Sequence, residues 1–438
     1  MSNRERAGHR TRIPTILPAP SKPHFLRAVW LAAAMRGWST LQGLESSGDL
    51  AAIARLARAA GGEIRARRGT WSLRRRAGAR TERSVDVGES AFSARLAIAW
   101  ALSRAGRTRI TGRASLLRRH IGDAVPPALE GRVRWLRSRG TLPLEIVPGR
   151  VAREVRLAPP RGSTAASGQP LTAWILAAAS AGGAWRIDWP GKIVGPDHLR
   201  LTCALVRGFG GAVRRRGATF HVDPERGARR LRIPRDATQA GVFALGALLA
   251  GHPCRIGGID LSGDHPDLAL LRRLRGAGRI VQRRGGIEVR PGPIPPLGGD
   301  YSRMPDAAVA AAALAAFGSS PVTLRGVRRL RAKESDRLAL LARNLRRLGA
   351  RVGIGPDSLR VTPAREAPRG PIRLEAGGDH RLAMVFGTIA RVRRGVRVSG
   401  EDAVSKSDPA FFRRWTPLVS AEAGRAGPGP RRSAVRRR

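Results

Sequence analysis

Residues 303–352 read RMPDAAVAAAALAAFGSSPVTLRGVRRLRAKESDRLALLARNLRRLGARV, and this one stretch carries the plan of the whole chain. It opens on an Ala-rich segment from Asp306 with no polar face, and a helix that is apolar all round is a buried one. A Gly and a short β-branched run follow at GSSPVTLRGV, then a Gly turn. A second run carries apolar residues at helical spacing, stops at Gly349 and resumes at Val352, the pattern of a helix, its C-cap and a strand.

The same unit recurs outward in both directions. Its strand can be followed through GWSTLQGL from Gly37, GRTRITGR from Gly106, GAWRIDWP from Gly183, GHPCRIGGI from Gly251, GSSPVTLRGV from Gly318 and GVRVSGED from Gly395. These glycines are spaced 69, 77, 68, 67 and 77 residues apart, so a long interval follows a short one twice, as two sets of three units would give. Matching helix stops occur at ARLARAAGGEI, CALVRGFGGAV, LRRLRGAGRIV and ARNLRRLGARV. First helices such as LTAWILAAASA from Leu171 are again apolar throughout. The chain therefore reads as α/β, two inside-out domains of three repeated βαβαββ-type units each, with helices packed centrally and sheets outside. A length of 438 residues suits two cores of roughly 200 residues each.

Composition narrows the function. No apolar stretch approaches the roughly 20 uninterrupted residues that cross a bilayer. The basic first twenty residues lack the apolar run of a secretory signal, and Cys203 and Cys254 supply no disulfide framework, which points to the cytoplasm. A formal net charge of +49 would suit nucleic acid, but the arginines are spread along the chain and aromatic residues are only 4%, leaving few platforms for bases. Of 81 basic residues only four are lysines: Lys22, Lys192, Lys333 and Lys406. Arginine serves solubility equally well, so lysine marks positions where a compact, titratable ammonium is needed.

Three clusters carry candidate chemistry. LPAPSKPHFLR places Ser21, Lys22 and Arg27 at a helix start, where cations and unpaired N–H groups suit an anion. Asp306 stands at the head of a buried helix, and the turn after the next strand brings Lys333, Glu334, Asp336 and Arg337. GGDHRLAM contributes Asp379, His380 and Arg381, and SKSDPAFF contributes Lys406. The histidines and cysteines show no zinc-ligand spacing, and no Walker loop is present, so neither metal nor cofactor is expected. Such a site suits proton transfer and charge neutralisation on small phosphorylated anions.

In this order, on this repeat, the clusters resemble the enolpyruvyl transferases, and among them the EPSP synthases, from about Pro14 to Trp415. The matching motifs are MPDAA with Asp306, KESDR from Lys333 to Arg337, DHRLAM from Asp379, and Lys406; three of the four lysines fall on family positions. The resemblance implies transfer of the carboxyvinyl group of phosphoenolpyruvate to the 5-hydroxyl of shikimate 3-phosphate. Its implied catalytic residues are Lys22, Asp306, Glu334 and Lys406. Phosphoenolpyruvate would be held by Lys22, Arg119, Gln169, Arg337, Arg381 and Lys406, and shikimate 3-phosphate by Lys22, Arg27, Ser167, Gln169, Asp306 and Lys333. The implied linkers lie near Lys22 and Pro234, giving one domain of 23–234, a second of 12–22 plus 235–420, a basic arm 1–11 and a basic tail 421–438. A monomer acting on small molecules, away from membrane and nucleic acid, is expected.

The amino-terminal half departs from the family pattern. Pro23 replaces a serine after Lys22, and the glycine-rich donor loop reads Gly88-Glu89-Ser90-Ala91-Phe92. Gly168 interrupts a Ser-Ser-Gln triplet, and VGPDHLRLT lacks the expected tyrosine. Two readings stand: a repacked loop with activity retained, or a relative with another acceptor or no catalysis. UDP-N-acetylglucosamine enolpyruvyl transferase shares fold and donor, but KESDR and DHRLAM favour the shikimate branch.

Overall fold

The computed structural model describes residues 13–78, 81–158, 167–224, 227–366, 368 and 370–416; the basic arm and basic tail lie outside them. Among the described residues are ten α-helices: α1 Lys22–Ala34, α2 Gly48–Ala59, α3 Ala91–Leu102, α4 Gln169–Ser180, α5 Pro196–Gly208, α6 Ala237–Ala250, α7 Leu268–Gly276, α8 Ala307–Ala315, α9 Arg337–Arg347 and α10 His380–Val392. Every residue of α3 and α8 is buried, as the unbroken apolar sequence of α8 requires; α3 buries Ser93 and Arg95 with its apolar residues. α2, α5, α7 and α9 bury one stripe and present arginines outward.

The six Gly-anchored runs all form strands, at Ser39–Gln42, Thr108–Thr111, Trp185–Asp188, Cys254–Gly257, Val322–Arg325 and Val396–Ser399. Five of them sit in four-stranded sheets of one design. A parallel strand flanks the anchored strand, and an antiparallel hairpin completes the sheet on its other side; for Ser39–Gln42 the parallel strand is Arg230–Arg232, returning from the end of the lobe. Two units differ from the repeat. After Thr108–Thr111 the second helix is replaced by 3₁₀ turns between Ala114 and Arg132. After Val396–Ser399 no hairpin follows among the described residues, where the strand pairs only with Ile372–Glu375; the chain turns into the 3₁₀ segment Glu401–Lys406.

Two separate cores result, one from Phe25 to Ile233 and one joining Ile16 to residues between Ala237 and Trp415. The chain passes between them twice, side by side. The Ser21 N–H donates to the Pro234 carbonyl (2.7 Å), the Asp236 N–H to the Ala19 carbonyl (2.9 Å), and the Ala19 N–H to Gln239 Oε1 (2.9 Å). Side chains also link the lobes, through a hydrogen bond between His24 Nε2 and Asp264 Oδ1 (3.0 Å) and an ion pair between Arg303 and Asp197. No helix among the described residues is long and apolar enough to cross a membrane.

Candidate active site

The site residues gather where helices begin. Lys22 and Gln169 open α1 and α4, Asp306 precedes α8, Arg337 opens α9, and Arg381 lies in the first turn of α10. Local sequence fixes these starts: Pro23 and Pro170 occupy first-turn positions, and the carboxylates of Asp236, Asp336 and Asp379 accept from the first N–H groups of α6, α9 and α10. Helix N-termini facing one cleft favour anions there.

Arg337 is the centre of the site and is only 1% exposed. Its Nε donates to Asp379 Oδ2 (2.8 Å), one terminal nitrogen to Asp306 Oδ1 (2.8 Å) and the other to Glu334 Oε2 (2.7 Å). One planar guanidinium thus fixes three carboxylates. Asp306 also meets Lys333 Nζ (3.3 Å) and Arg381 Nε (3.4 Å); Glu334 meets Lys406 Nζ (3.3 Å) and, from the other lobe, Arg119 (3.5 Å).

The electrostatics follow from this packing. Burial resists ionisation of Asp306, but Lys333, then Arg337 and Arg381, outweigh it and hold the carboxyl well below the usual range. Glu334 is held low in the same way, against burial, by Arg337, Lys406 and Arg119. Arg337 is raised by its three carboxylates despite burial. Burial lowers Lys333, partly opposed by Asp306, and lowers Arg119, partly opposed by Glu334. Burial also depresses His380 well below its ordinary value, with Lys22, Arg381 and Lys406 reinforcing it against Glu334, so its imidazole is neutral. Glu334, Asp379 and His380 offer atoms within 4.8 Å of one another, but Arg337 donates to both carboxylates, so guanidinium supplies the positive charge they face.

Around this centre stand the remaining predicted residues. Lys22 Nζ pairs with the buried Asp49 (2.6 Å), and its N–H donates to Asp236 Oδ2 (3.3 Å). The Gln169 N–H donates to Ser167 Oγ (3.2 Å), and Gln169 Oε1 accepts from Arg95 (3.2 Å). Arg27 donates to Thr202 Oγ1 (2.8 Å) and to the carbonyls of Pro23 (2.7 Å) and His198 (3.5 Å), and burial pushes it down to about 9. Phe92 lies beneath it, 7% exposed, with the guanidinium 5.0 Å from the ring centroid. Its ring belongs to the core that α3 shares with α1.

Several supporting residues escaped the sequence reading. Asp49, at the start of α2, is one. Another is the buried bidentate pair of Arg95 with Asp123 (2.8 and 2.9 Å); Arg95 also donates to the His120 carbonyl (3.0 Å), fixing the segment beside Arg119. A buried-face arginine in an apolar helix, as in AFSARLAIAW, is the signal that could have found it. Ser21 Oγ to His24 Nδ1 (2.7 Å) and His24 to Asp264 had no sequence signal, because Asp264 lies 240 residues away.

Two inside-out lobes meet at a cleft of lysines, arginines and ionised carboxylates, a site suited to small phosphorylated anions. Comparison with known proteins narrows this further. Residues 11–415 match the family described as EPSP synthase (3-phosphoshikimate 1-carboxyvinyltransferase). The chain is 33% identical over 420 residues to the 3-phosphoshikimate 1-carboxyvinyltransferase of Methanopyrus kandleri, covering 93% of this chain and 95% of that one. It is 33% identical over 333 residues to that of Bordetella petrii, covering 72% and 74%. Among solved structures, an Acinetobacter baumannii EPSP synthase superposes with a TM-score of 0.71 at 22% identity, covering 92% and 95%; the enolpyruvyl transferase NikO from Streptomyces tendae gives 0.69 at 18%, covering 93% and 95%. The chain belongs to the EPSP synthase family and is a transferase.

Proposed function

We propose that this chain transfers the carboxyvinyl group of phosphoenolpyruvate to the 5-hydroxyl of shikimate 3-phosphate, through a tetrahedral intermediate that loses phosphate, with the roles set out below. The observation that carries the reading is the single guanidinium of Arg337 holding Asp306 and Glu334 ionised within a ring of Lys333, Arg381, Lys406 and Arg119. An ionised Asp306 is able to take the hydroxyl proton as the new C–O bond forms. Lys406 and Glu334, in contact with each other, and Lys22 handle protonation of the methylene carbon and charge on the departing phosphate. Arg119, Arg381, Arg337 and Gln169, with Lys22 and Lys406, hold phosphoenolpyruvate. Arg27, Ser167, Gln169 and Lys333, with Lys22 and Asp306, hold shikimate 3-phosphate. Residues 23–234 and 12–22 with 235–420 act as two domains that close on the substrates, in a monomer of the cytoplasm.

A second reading is a different acceptor, favoured by the Phe92 ring seated against Arg27 on the acceptor side. One experiment separates them: phosphate release from phosphoenolpyruvate and shikimate 3-phosphate by purified protein, with Lys22→Ala and Asp306→Ala as controls. Release by the parent that both substitutions abolish is the expected result. A folded parent that releases no phosphate overturns the shikimate assignment and leaves the other acceptor.

A further inference from the structure

At the far end of the first lobe from the catalytic cleft, the last turns of α1, α2, α3 and α4 surround a cavity of about 170 Å³. Its walls are Trp30, Trp100 and small residues such as Ala57, with Ser180 at one side. Trp30 is fixed by its indole N–H, which donates to the Leu176 carbonyl (3.1 Å). The cavity is separate from the active site: α1 runs 13 residues from Lys22 to Ala34, about 20 Å of helix, with Lys22 in the cleft and Ala34 at the cavity. Apolar space of roughly 150 Å³ accepts a benzene ring, so this volume suits one ring with a short substituent.

The lining also specifies a charge. Arg75 and Arg104 are its two ionisable residues, and no carboxylate lines it. Neither arginine pairs with a carboxylate among the described residues. Arg104 is half-buried, stacks over Trp100 (4.6 Å to the ring centroid), and makes one long bond to Thr108 Oγ1 (3.4 Å). Burial lowers it. A partly desolvated guanidinium without a counter-ion, against an indole face, is a prepared carboxylate receptor. We propose that this cavity binds a monocyclic aromatic carboxylate, its ring between Trp30 and Trp100 and its carboxylate on Arg104 and Arg75.

The test is calorimetric titration of the full chain with benzoate, repeated in saturating inorganic phosphate to fill anion sites in the cleft. Benzyl alcohol serves as the uncharged control. Saturable benzoate binding that phosphate leaves intact is expected, with Arg104→Gln weakening it at least about tenfold, the loss of one charge-assisted bond. Benzyl alcohol should bind at least about tenfold more weakly for the same reason. Ala34→Leu, which fills the space, should abolish binding, while Arg104→Gln retains the parent's catalytic rate and so reports a folded protein. Absence of saturable binding to the parent, displacement by phosphate, equal affinity for benzyl alcohol, or binding that survives Arg104→Gln would each overturn the proposal.

Discussion

Replacing Asp379 by Asn isolates one interaction at the centre of the site. The side chain is fully buried; Oδ1 caps α10 by accepting the N–H groups of Arg381 (2.9 Å) and Leu382 (3.4 Å), while Oδ2 accepts Arg337 Nε (2.8 Å). Asn caps a helix as well as Asp does, so the cap survives while the charge and the acceptor facing Arg337 Nε are lost. Removing one partner of a buried pair costs about 3–5 kcal/mol. Arg337 keeps Asp306 and Glu334, which places the expected loss near the lower end, about 3 kcal/mol. Asp379→Ala also removes the cap, which adds about 1 kcal/mol. Urea unfolding at neutral pH, followed by circular dichroism, measures both: the transition should keep its slope and move to lower urea, further for Ala than for Asn. An Asn variant within about 0.5 kcal/mol of the parent, or indistinguishable Asn and Ala variants, would refute the reasoning.

Burial pushes His265 down to about 4, so the stability from its neutral form is full above pH 6.5 and drains as pH falls toward 4; His265→Asn should flatten that limb of a melting-temperature profile. Asp267 runs the other way: burial and Asp306 push it up to about 7, so it erodes stability as pH rises from 3.8 through 7, and Asp267→Asn should raise the melting temperature at pH 8 more than at pH 5. Phe92→Ala removes a core ring and the face under Arg27, and should cost about 3–5 kcal/mol by urea unfolding. A net charge of +49 steers anions, so kcat/KM should fall as potassium chloride shortens the screening length to about 10 Å at 0.1 M.

The fold was legible because its punctuation repeats. Each anchored strand follows a glycine and an apolar helix, and each read correctly as a strand even where the unit around it was shortened. What escaped were the shortenings: nothing in SLLRRHIGDAVPPALEGR distinguishes a run of 3₁₀ turns from a loop, and nothing in GEDAVSK announces that the chain after Ser399 enters the 3₁₀ segment Glu401–Lys406. In the site, lysine scarcity exposed Lys22, Lys333 and Lys406, and local clustering exposed Asp306, Glu334, Arg337 and Arg381. Lys22–Asp49 and Arg95–Asp123 escaped because each pair joins different elements, and single carboxylates at ordinary helix starts look like caps. The triple engagement of Arg337 was equally hidden: KESDR suggests local pairing with Glu334, whereas Asp306 and Asp379 come from 31 and 42 residues away.

The short strand Thr15–Ile16 pairs in parallel with Arg255 and Ile256, which sets an order on synthesis. The first lobe is continuous in sequence and can assemble as it leaves the ribosome. The strand made before it has no partner until some 240 residues later, a wait of roughly 12–48 seconds at about 5–20 residues per second. An unpaired strand in a crowded cell is a template for other chains. Here it is two residues long and closely followed by Pro18 and Pro20, with Pro14 immediately before it, so a nascent chain offers neighbours almost nothing to pair with until its own second half arrives.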